Sequence, residues 1–97
     1  MDRVIKVAVS GAAGRVGKEV VKMVLSDPQL ELVAAIDTKE GDDAGRIAGC
    51  EPCGVPVTTD LKEALKQSGA EVMVDFTVPH SAVANATAAI ELGVRPV

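Results

Sequence analysis

Aromatic residues are almost absent from this chain of 97 residues. Phe76 is the single aromatic residue, and there is no tryptophan or tyrosine. Proteins that bind single-stranded nucleic acids stack the bases on several aromatic side chains, so the composition excludes that class. The 14 acidic residues outnumber the 10 lysines and arginines and give a formal net charge of −4. Duplex binding depends on clustered positive charge, so we expect no nucleic-acid partner.

Long hydrophobic runs are also missing. No apolar run approaches the roughly 20 residues that a membrane-spanning helix needs. The N-terminal stretch MDRVIKVAVSG has an acid at position 2 and reaches its glycines too early for a secretory signal. We therefore expect no membrane partner and a cytoplasmic location.

Cysteine and histidine are scarce, which limits metal and redox chemistry. Cys50 and Cys53 form a C-x-x-C motif, and His80 is the single histidine. A zinc site needs further ligands, and His80 lies on another segment, so no metal site is predicted. A thioredoxin-like pair would begin a helix, whereas Pro52 and Gly54 indicate a loop. We interpret the cysteines as loop thiols, with a redox or metal role left open, and His80 as a surface or capping residue.

Short apolar runs alternate with segments of helical periodicity. The predicted elements are strand 3–9, helix 15–25, strand 30–37, an irregular segment 38–56 with one helical turn in DDAGRIAG, strand 55–59, a helix from Asp60 to about Gln67, strand 71–76, a helix from Pro79 to before Gly93, and strand 94–97. Continuously apolar strands that alternate with helices indicate a parallel sheet covered on both faces. The predicted fold class is α/β, a doubly wound parallel sheet of Rossmann type, with residues 1–97 as one domain. The chain ends as a strand begins, so we expect a fragment of a two-domain protein.

Three finer predictions concern the helices. The first helix carries an apolar pattern at Val16, Val20, Val21 and Val24. Asp60 is predicted to cap the next long helix, with the Glu63 side chain reaching back to complete a capping box and Gly69 ending the helix. The last helix is predicted to carry Val83, Thr87 and Ile90 on one face.

Glycines mark the junction between the first strand and the first helix. Gly11, Gly14 and Gly17 lie three residues apart in SGAAGRVG, the context that a dinucleotide fingerprint requires. They would allow a tight turn, close approach of a pyrophosphate and close helix packing, in that order. Free N–H groups at the helix start favour phosphates, and Arg15 favours an anion nearby. Ala13 stands where the commoner G-x-G-x-x-G has glycine, and a slightly displaced pyrophosphate can tolerate its methyl group. The alternative is that the glycines serve only a tight strand-to-helix turn.

An acid follows the second predicted strand. Asp37 lies 20 residues after Gly17, where the fingerprint has an acid for the adenosine ribose. A carboxylate accepts hydrogen bonds from ribose hydroxyls and repels a 2′-phosphate, which favours NADH. Lys39 can offset that repulsion, so NADH and NADPH both remain candidate cofactors. The alternative for Asp37 is a solvated acid at the end of a strand.

Four segments together resemble one enzyme family. They are VAVSGAAGRVGKEV, VAAID, DAGRIAG…GVPVTTDL and VMVDFTVPHSAVANATAAIELG, and they cover essentially the whole chain. The chain resembles the N-terminal half of dihydrodipicolinate reductases, also called 4-hydroxy-tetrahydrodipicolinate reductases. The glycine turn is shared with many dehydrogenases, whereas DFT-x-P before a helix and the DAG…G loop are more specific.

The resemblance implies a reductase of lysine and diaminopimelate biosynthesis that passes hydride from NADH or NADPH to a cyclic, unsaturated dicarboxylate. The implied cofactor-binding residues are Gly11, Ala12, Ala13, Gly14, Arg15 and Val16 at the pyrophosphate, Asp37 and Thr38 at the adenosine ribose, and Asp75, Phe76 and Thr77 at the nicotinamide. Family members continue with a GTTG turn and a substrate domain that carries a His-His pair, a lysine donor and a dicarboxylate-binding loop. That domain also builds most of the family's homotetramer. Catalytic residues are therefore expected outside this chain, which alone should be inactive.

Three alternatives remain from the sequence. One is the Rossmann half of another amino-acid-pathway dehydrogenase, such as aspartate or homoserine dehydrogenase. Another is a non-catalytic module that binds a nucleotide or CoA, and the last is an α/β domain without a ligand. For the DFT segment, the alternative is a strand end with Phe76 in the core and Thr77 as a cap.

Overall fold

The computed structural model of the chain describes residues 3–77 and 79–97, with only the backbone of residues 79 and 80. Its elements are β1 (Ile5–Ser10), α1 (Arg15–Ser26), β2 (Leu30–Ile36), α2 (Ala44–Ile47), β3 (Val57–Thr58), α3 (Leu61–Ser68), β4 (Val72–Asp75), α4 (Pro79–Glu91) and β5 (Arg95–Pro96). Strand ends agree with the predicted ones to within two residues. Within the described ranges, no helix is both long and apolar enough to cross a membrane.

The strands form one parallel sheet in the order β3-β2-β1-β4-β5. This order confirms the predicted fold class, a doubly wound sheet of Rossmann type. The order reverses between β1 and β4, because the chain fills one side of β1 before it crosses to the other. A crevice opens at the carboxyl ends of the strands at such a reversal, and ligands of open α/β sheets bind there.

Apolar side chains cover both faces of the sheet. Residues of β1 alternate between the faces, as the pleat of a strand requires. Val9 packs with Val21 of α1 on one face, and Ala8 packs with Leu65 of α3 and with Met73 on the other. Each of these five residues is at most 2% exposed. The two-sided burial is what the continuously apolar strands predicted.

The start of α3 differs from the predicted capping box. Asp60 caps the helix as expected, because its Oδ1 accepts a hydrogen bond from the Glu63 N–H at 3.1 Å. The Glu63 carboxylate does not reach back, since it accepts from the Gln67 side chain instead. The Asp60 N–H donates to Thr58 Oγ1 at 3.2 Å, so its partner lies on the strand side. Gly69 ends the helix with a φ of 72°, as predicted.

The apolar pattern of α4 faces away from the sheet. Val83 is 70% and Ile90 is 65% exposed, and Thr87 between them is exposed as well. The buried residues of this part of the helix are the small Ala88 and Ala89, and Ala89 packs in the core cluster against the sheet. The predicted face therefore exists, but it is the outer one, because alanines let the helix backbone lie close to the strands.

One carboxylate organises the segment predicted to be irregular. Asp43 Oδ1 accepts hydrogen bonds from the N–H groups of Gly45 at 2.8 Å and Cys53 at 2.9 Å, and Oδ2 accepts from Gly54 at 2.7 Å. These bonds, that from Cys53 first, hold the pKa of the Asp43 carboxyl far below its ordinary value. The thiol of Cys53 lies 3.4 Å from the same Oδ1, and neither Cys53 nor Cys50 forms a disulfide. In the part of the chain that the structure describes, no three metal-ligating side chains come together.

Candidate binding cleft

Two adjoining clefts lie at the carboxyl edge of the sheet, where the strand order reverses. One has a volume of about 470 Å³ and extends past the ends of β1 and β2 to α4. The other, of about 480 Å³, extends over the start of α1. Both are lined by Gly11, Gly14, Phe76 and Thr77. We call the two clefts together the groove.

Different contacts explain why glycine occupies each of the three positions in the turn. Gly11 has a φ of 82°, and a Cβ there would lie 3.1 Å from the Phe76 carbonyl carbon. A Cβ on Gly17 would lie 1.9 Å from the Gly11 carbonyl oxygen, so only glycine fits. Gly14 has a φ of −76°, and its nearest obstacle to a Cβ is at 3.4 Å, an ordinary contact. Packing within the protein thus explains Gly11 and Gly17, whereas Gly14 leaves space on the groove side.

The start of α1 has no side-chain cap. The N-cap residue is Gly14, which offers no side-chain acceptor, whereas α2 and α3 begin on aspartate caps. The first intrahelical bond runs from the Lys18 N–H to the Gly14 carbonyl oxygen at 2.9 Å. The N–H groups of Arg15 and Val16 therefore have no carbonyl acceptor within the helix, and they lie at the positive end of the helix dipole. This end of α1 is suited to an anion.

The side chains beside the turn divide between groove and core. Arg15 and Val16 line the groove, and the ion pairs of the described residues do not include Arg15. Val16 is 55% exposed, so it lies outside the core despite its place in the apolar pattern. Ala12 is 2% exposed and its N–H donates to the Ile36 carbonyl oxygen at 3.1 Å. The turn is thereby fixed to the end of β2.

Asp37 lies beside the turn at the end of β2. Its Oδ2 accepts from the Ala13 N–H at 2.8 Å, and its Oδ1 accepts from the Thr38 N–H at 2.7 Å. The Thr38 hydroxyl is 3.3 Å from the same Oδ1. An ionised carboxylate has about four acceptor positions, so these contacts leave capacity for a ligand hydroxyl. Asp37 and Thr38 both line the groove, as their predicted role requires.

The DFT segment lies on the other side of the turn, after β4. Asp75 Oδ1 accepts from the Thr77 N–H at 2.9 Å and from the Thr77 hydroxyl at 2.7 Å. The side chain of Phe76 is 41% exposed, so it is not the core residue of the alternative interpretation. Asp75, Phe76 and Thr77 all line the groove.

Sequence reasoning missed four polar residues of the groove, which are Ser10, Thr59, Ser81 and Asn85. Ser10 is 1% exposed, and Asn85 projects from α4 to within 3.5 Å of the Ser10 hydroxyl. The available signal was the spacing of Ser81 and Asn85, which places two polar residues one turn apart on the side of α4 that also carries Ala89. Val78 and the side chain of His80, predicted as a surface or capping residue, lie outside the described residues.

Comparisons with known proteins agree with this geometry. The family model for the N-terminus of dihydrodipicolinate reductase matches residues 5–97. A 4-hydroxy-tetrahydrodipicolinate reductase of Picosynechococcus sp. is 47% identical over 100 residues, which cover 96% of this chain and 36% of that protein. A dipicolinate-bound dihydrodipicolinate reductase from Paenisporosarcina sp. TG-14 has a TM-score of 0.77 and 30% identity, over 96% of this chain and 36% of that structure. GenD2 from gentamicin A biosynthesis, solved in complex with NAD, has a TM-score of 0.77 and 26% identity, over 99% of this chain and 26% of that structure.

The resemblance seen in the sequence is thus confirmed over nearly the whole chain. The chain spans 36% of the length of the Picosynechococcus relative, and its matched region lies in the N-terminal domain of the family. Aspartate and homoserine dehydrogenases, the other candidate families, are set aside by this match. The chain belongs to the dihydrodipicolinate reductase family.

Proposed function

We propose that residues 1–97 form a single nucleotide-binding domain that holds NADH or NADPH along the groove, as part of a reductase. The observation that carries the proposal is the uncapped start of α1, which opens into a groove between Asp37 and Thr77. A dinucleotide combines a doubly charged centre with a ribose on each side. The groove offers an anion site at its centre and polar groups on both sides.

The pyrophosphate would lie at the start of α1. The N–H groups of Arg15 and Val16 supply hydrogen-bond donors there, and the Arg15 guanidinium supplies a positive charge. The absence of a side chain at Gly14 lets the phosphate oxygens approach the backbone closely. The N–H groups of the three preceding turn residues are not free to bind the pyrophosphate, because they already bond to β2 or to Asp37. These residues, Gly11, Ala12 and Ala13, shape the turn instead.

The adenosine ribose would lie at Asp37. Its carboxylate accepts from the diol while its bonds to Ala13 and Thr38 keep it in place. NADPH carries a phosphate at the 2′ position, which this carboxylate repels. Lys39 is exposed two residues further on and supplies a compensating charge. Both cofactors therefore bind, with the balance set by these two side chains.

The nicotinamide would lie against Phe76 and Thr77. Asp75 positions Thr77 and does not itself bind the cofactor. Its Oδ1 accepts both hydrogen bonds from Thr77, and its Oδ2 faces the Asn85 amide nitrogen at 3.2 Å. The bound nicotinamide supplies the hydride. The chain supplies a fixed surface on which the ring is oriented and shielded from water on one face.

The whole reductase would reduce a cyclic, unsaturated dicarboxylate in lysine and diaminopimelate biosynthesis, an activity of the cytoplasm. The proposal follows the names of the relatives, of which this chain spans about a third. Catalytic side chains, the dicarboxylate site and the contacts of a homotetramer would lie in the remaining part of such a protein. This chain alone should bind cofactor without turnover.

Binding is tested by titrating NADH and NADPH separately into the purified chain, followed by nicotinamide fluorescence and calorimetry. Asp37→Ala should weaken NADH binding by about tenfold or more, as the loss of hydrogen bonds to a charged group does. It should weaken NADPH binding less. Glu31→Ala is the matched control, because Glu31 is exposed at the opposite end of the same strand. Equal losses for both cofactors contradict the ribose role. Absence of binding to the folded chain at millimolar concentration contradicts the proposed function.

The reaction is tested with a chimera in which this chain replaces the corresponding N-terminal part of the Picosynechococcus relative. The chimera should oxidise NADH in the presence of 4-hydroxy-tetrahydrodipicolinate, and the chain alone should not. Turnover by the chain alone contradicts the assignment of the chemistry to the remaining part. A folded chimera that binds NADH but never turns over contradicts the proposed reaction.

A further inference from the structure

Asn85 is held in one orientation by three acceptors. Its Nδ2 lies 3.2 Å from Asp75 Oδ2, 3.3 Å from Thr77 Oγ1 and 3.5 Å from Ser10 Oγ. A carboxylate accepts hydrogen bonds and cannot donate them, so the amide nitrogen must face Asp75 and the amide oxygen must face away. The orientation of this amide therefore follows from the chemistry of its neighbour.

The amide oxygen of Asn85 is left for a ligand. Among the side chains of residues 3–77 and 81–97 and the described backbone, no donor bonds to Asn85 Oδ1. The half-buried Asn85 lines the cleft of about 470 Å³ together with Phe76 and Thr77. An amide oxygen can only accept, so its partner in the cleft must be an N–H or O–H donor.

The sheet order decides which half of a dinucleotide Asn85 meets. β2, which carries Asp37, and β4, which carries Asp75 and Thr77, pair with opposite edges of β1. The glycine turn lies at the end of β1, between them. A dinucleotide with its pyrophosphate on that turn therefore places one ribose towards Asp37 and the other towards Asn85.

We propose that Asn85 binds the nicotinamide riboside of the cofactor, with its amide oxygen accepting a hydrogen bond from that half of the dinucleotide. This rests on the proposed function and adds a binding residue to it. The three contacts of Nδ2 fix the side chain before the cofactor arrives, so little rotamer freedom is lost on binding. Asn85 thereby favours the complete dinucleotide over a nucleotide that lacks the whole nicotinamide riboside.

The test compares NADH with ADP-ribose, which keeps the adenosine, both riboses and the pyrophosphate but lacks the nicotinamide base, and with ADP, which lacks the whole nicotinamide riboside. Asn85→Ala should raise the Kd for NADH about fivefold or more, as the loss of one hydrogen bond does. The Kd for ADP should stay within about twofold, since ADP reaches only the Asp37 side. ADP-ribose reports whether the donor is a hydroxyl of the second ribose or the carboxamide. Thr87→Ala is the matched control, because the Thr87 hydroxyl bonds within α4 to the Val83 carbonyl oxygen.

A second measurement needs no substitution. The side-chain NH₂ resonances of Asn85 should shift when NADH is added to the isotope-labelled chain, and should stay in place when ADP is added. If Asn85→Ala loses equal affinity for NADH and ADP, or loses no affinity for NADH, the role of Asn85 is overturned while the proposed function stands. A folded parent chain that does not bind NADH overturns both.

Discussion

Gly17→Ala tests the packing of α1 against the glycine turn. A Cβ at this position would lie 1.9 Å from the Gly11 carbonyl oxygen and 2.7 Å from the Gly11 carbonyl carbon. To restore an ordinary contact of 3.4 Å, the helix and the turn must separate by about 1.5 Å, the difference between the two distances. Both obstacles are backbone atoms, so no side chain can rotate away to relieve the contact.

The sign and size of the effect follow from two opposed contributions. Overpacking of a core costs about 1–3 kcal/mol where side chains can adjust, so a backbone clash should cost at least about 3 kcal/mol. The higher helix propensity of alanine offsets about 1 kcal/mol of this. A net loss of at least about 2 kcal/mol corresponds to a decrease in Tm of roughly 8–16 °C for a domain of this size. Folding itself should survive, because domains of this length have about 5–15 kcal/mol of stability.

The measurement is thermal unfolding followed by circular dichroism, with Gly14→Ala as the matched control. Gly14 belongs to the same turn, but a Cβ there meets its nearest atom at 3.4 Å. Gly14→Ala should cost less than about 1 kcal/mol, and it should weaken NADH binding, because the proposed pyrophosphate site requires close approach to the backbone at Gly14. A Tm for Gly17→Ala within about 3 °C of the parent chain would refute the packing explanation.

Three further predictions concern stability and cofactor choice. The pKa of the Asp43 carboxyl is lowered on folding from its ordinary value of 3.8. The ionised carboxylate therefore stabilises the fold at pH values above 3.8, and this stabilisation is lost progressively as the pH falls below 3.8. Asp43→Asn should therefore be less stable at neutral pH and lose less Tm between about pH 6 and about pH 3; parallel Tm profiles would exclude this role. Met73→Ala removes a side chain that is 0% exposed and should cost about 2–5 kcal/mol in urea unfolding, whereas a loss below about 1 kcal/mol would show that the core collapses around the gap. Lys39→Ala should weaken NADPH about two- to fivefold relative to NADH in calorimetric titrations, and an unchanged ratio of the two Kd values would remove Lys39 from cofactor selection.

The fold and the position of the groove could be predicted from the sequence because both depend on local patterns. Apolar strands, helical periodicity and a glycine turn are each visible within about ten residues. The sequence assigns Gly11 to a tight turn and Gly17 to close helix packing, and the structure shows the atoms that a Cβ would meet at both positions. The parallel sheet followed from the alternation of these elements along the chain.

Contacts between distant residues could not be predicted in this way. Asp37 bonds to Ala13 across 24 positions, and Asn85 approaches Ser10 across 75 positions. The capping box failed for a local reason instead, because the Asp60 N–H donates to the Thr58 hydroxyl two residues before it and Glu63 accepts from Gln67. Asp43 lies in the segment predicted to be irregular, and its role depends on the return of the loop to it at Cys53. Polar residues acquire such roles from the folded arrangement, which the local pattern does not contain.

Amide chemical shifts of the isotope-labelled chain during titration with NADH locate the cofactor directly. Binding along the groove predicts changes at Arg15, Val16, Thr38 and Thr77, with the amides of residues 44–54 unchanged. A spectrum that stays unchanged at millimolar NADH while the chain is folded would contradict a nucleotide site. Changes confined to residues 44–54 would contradict its place at the start of α1.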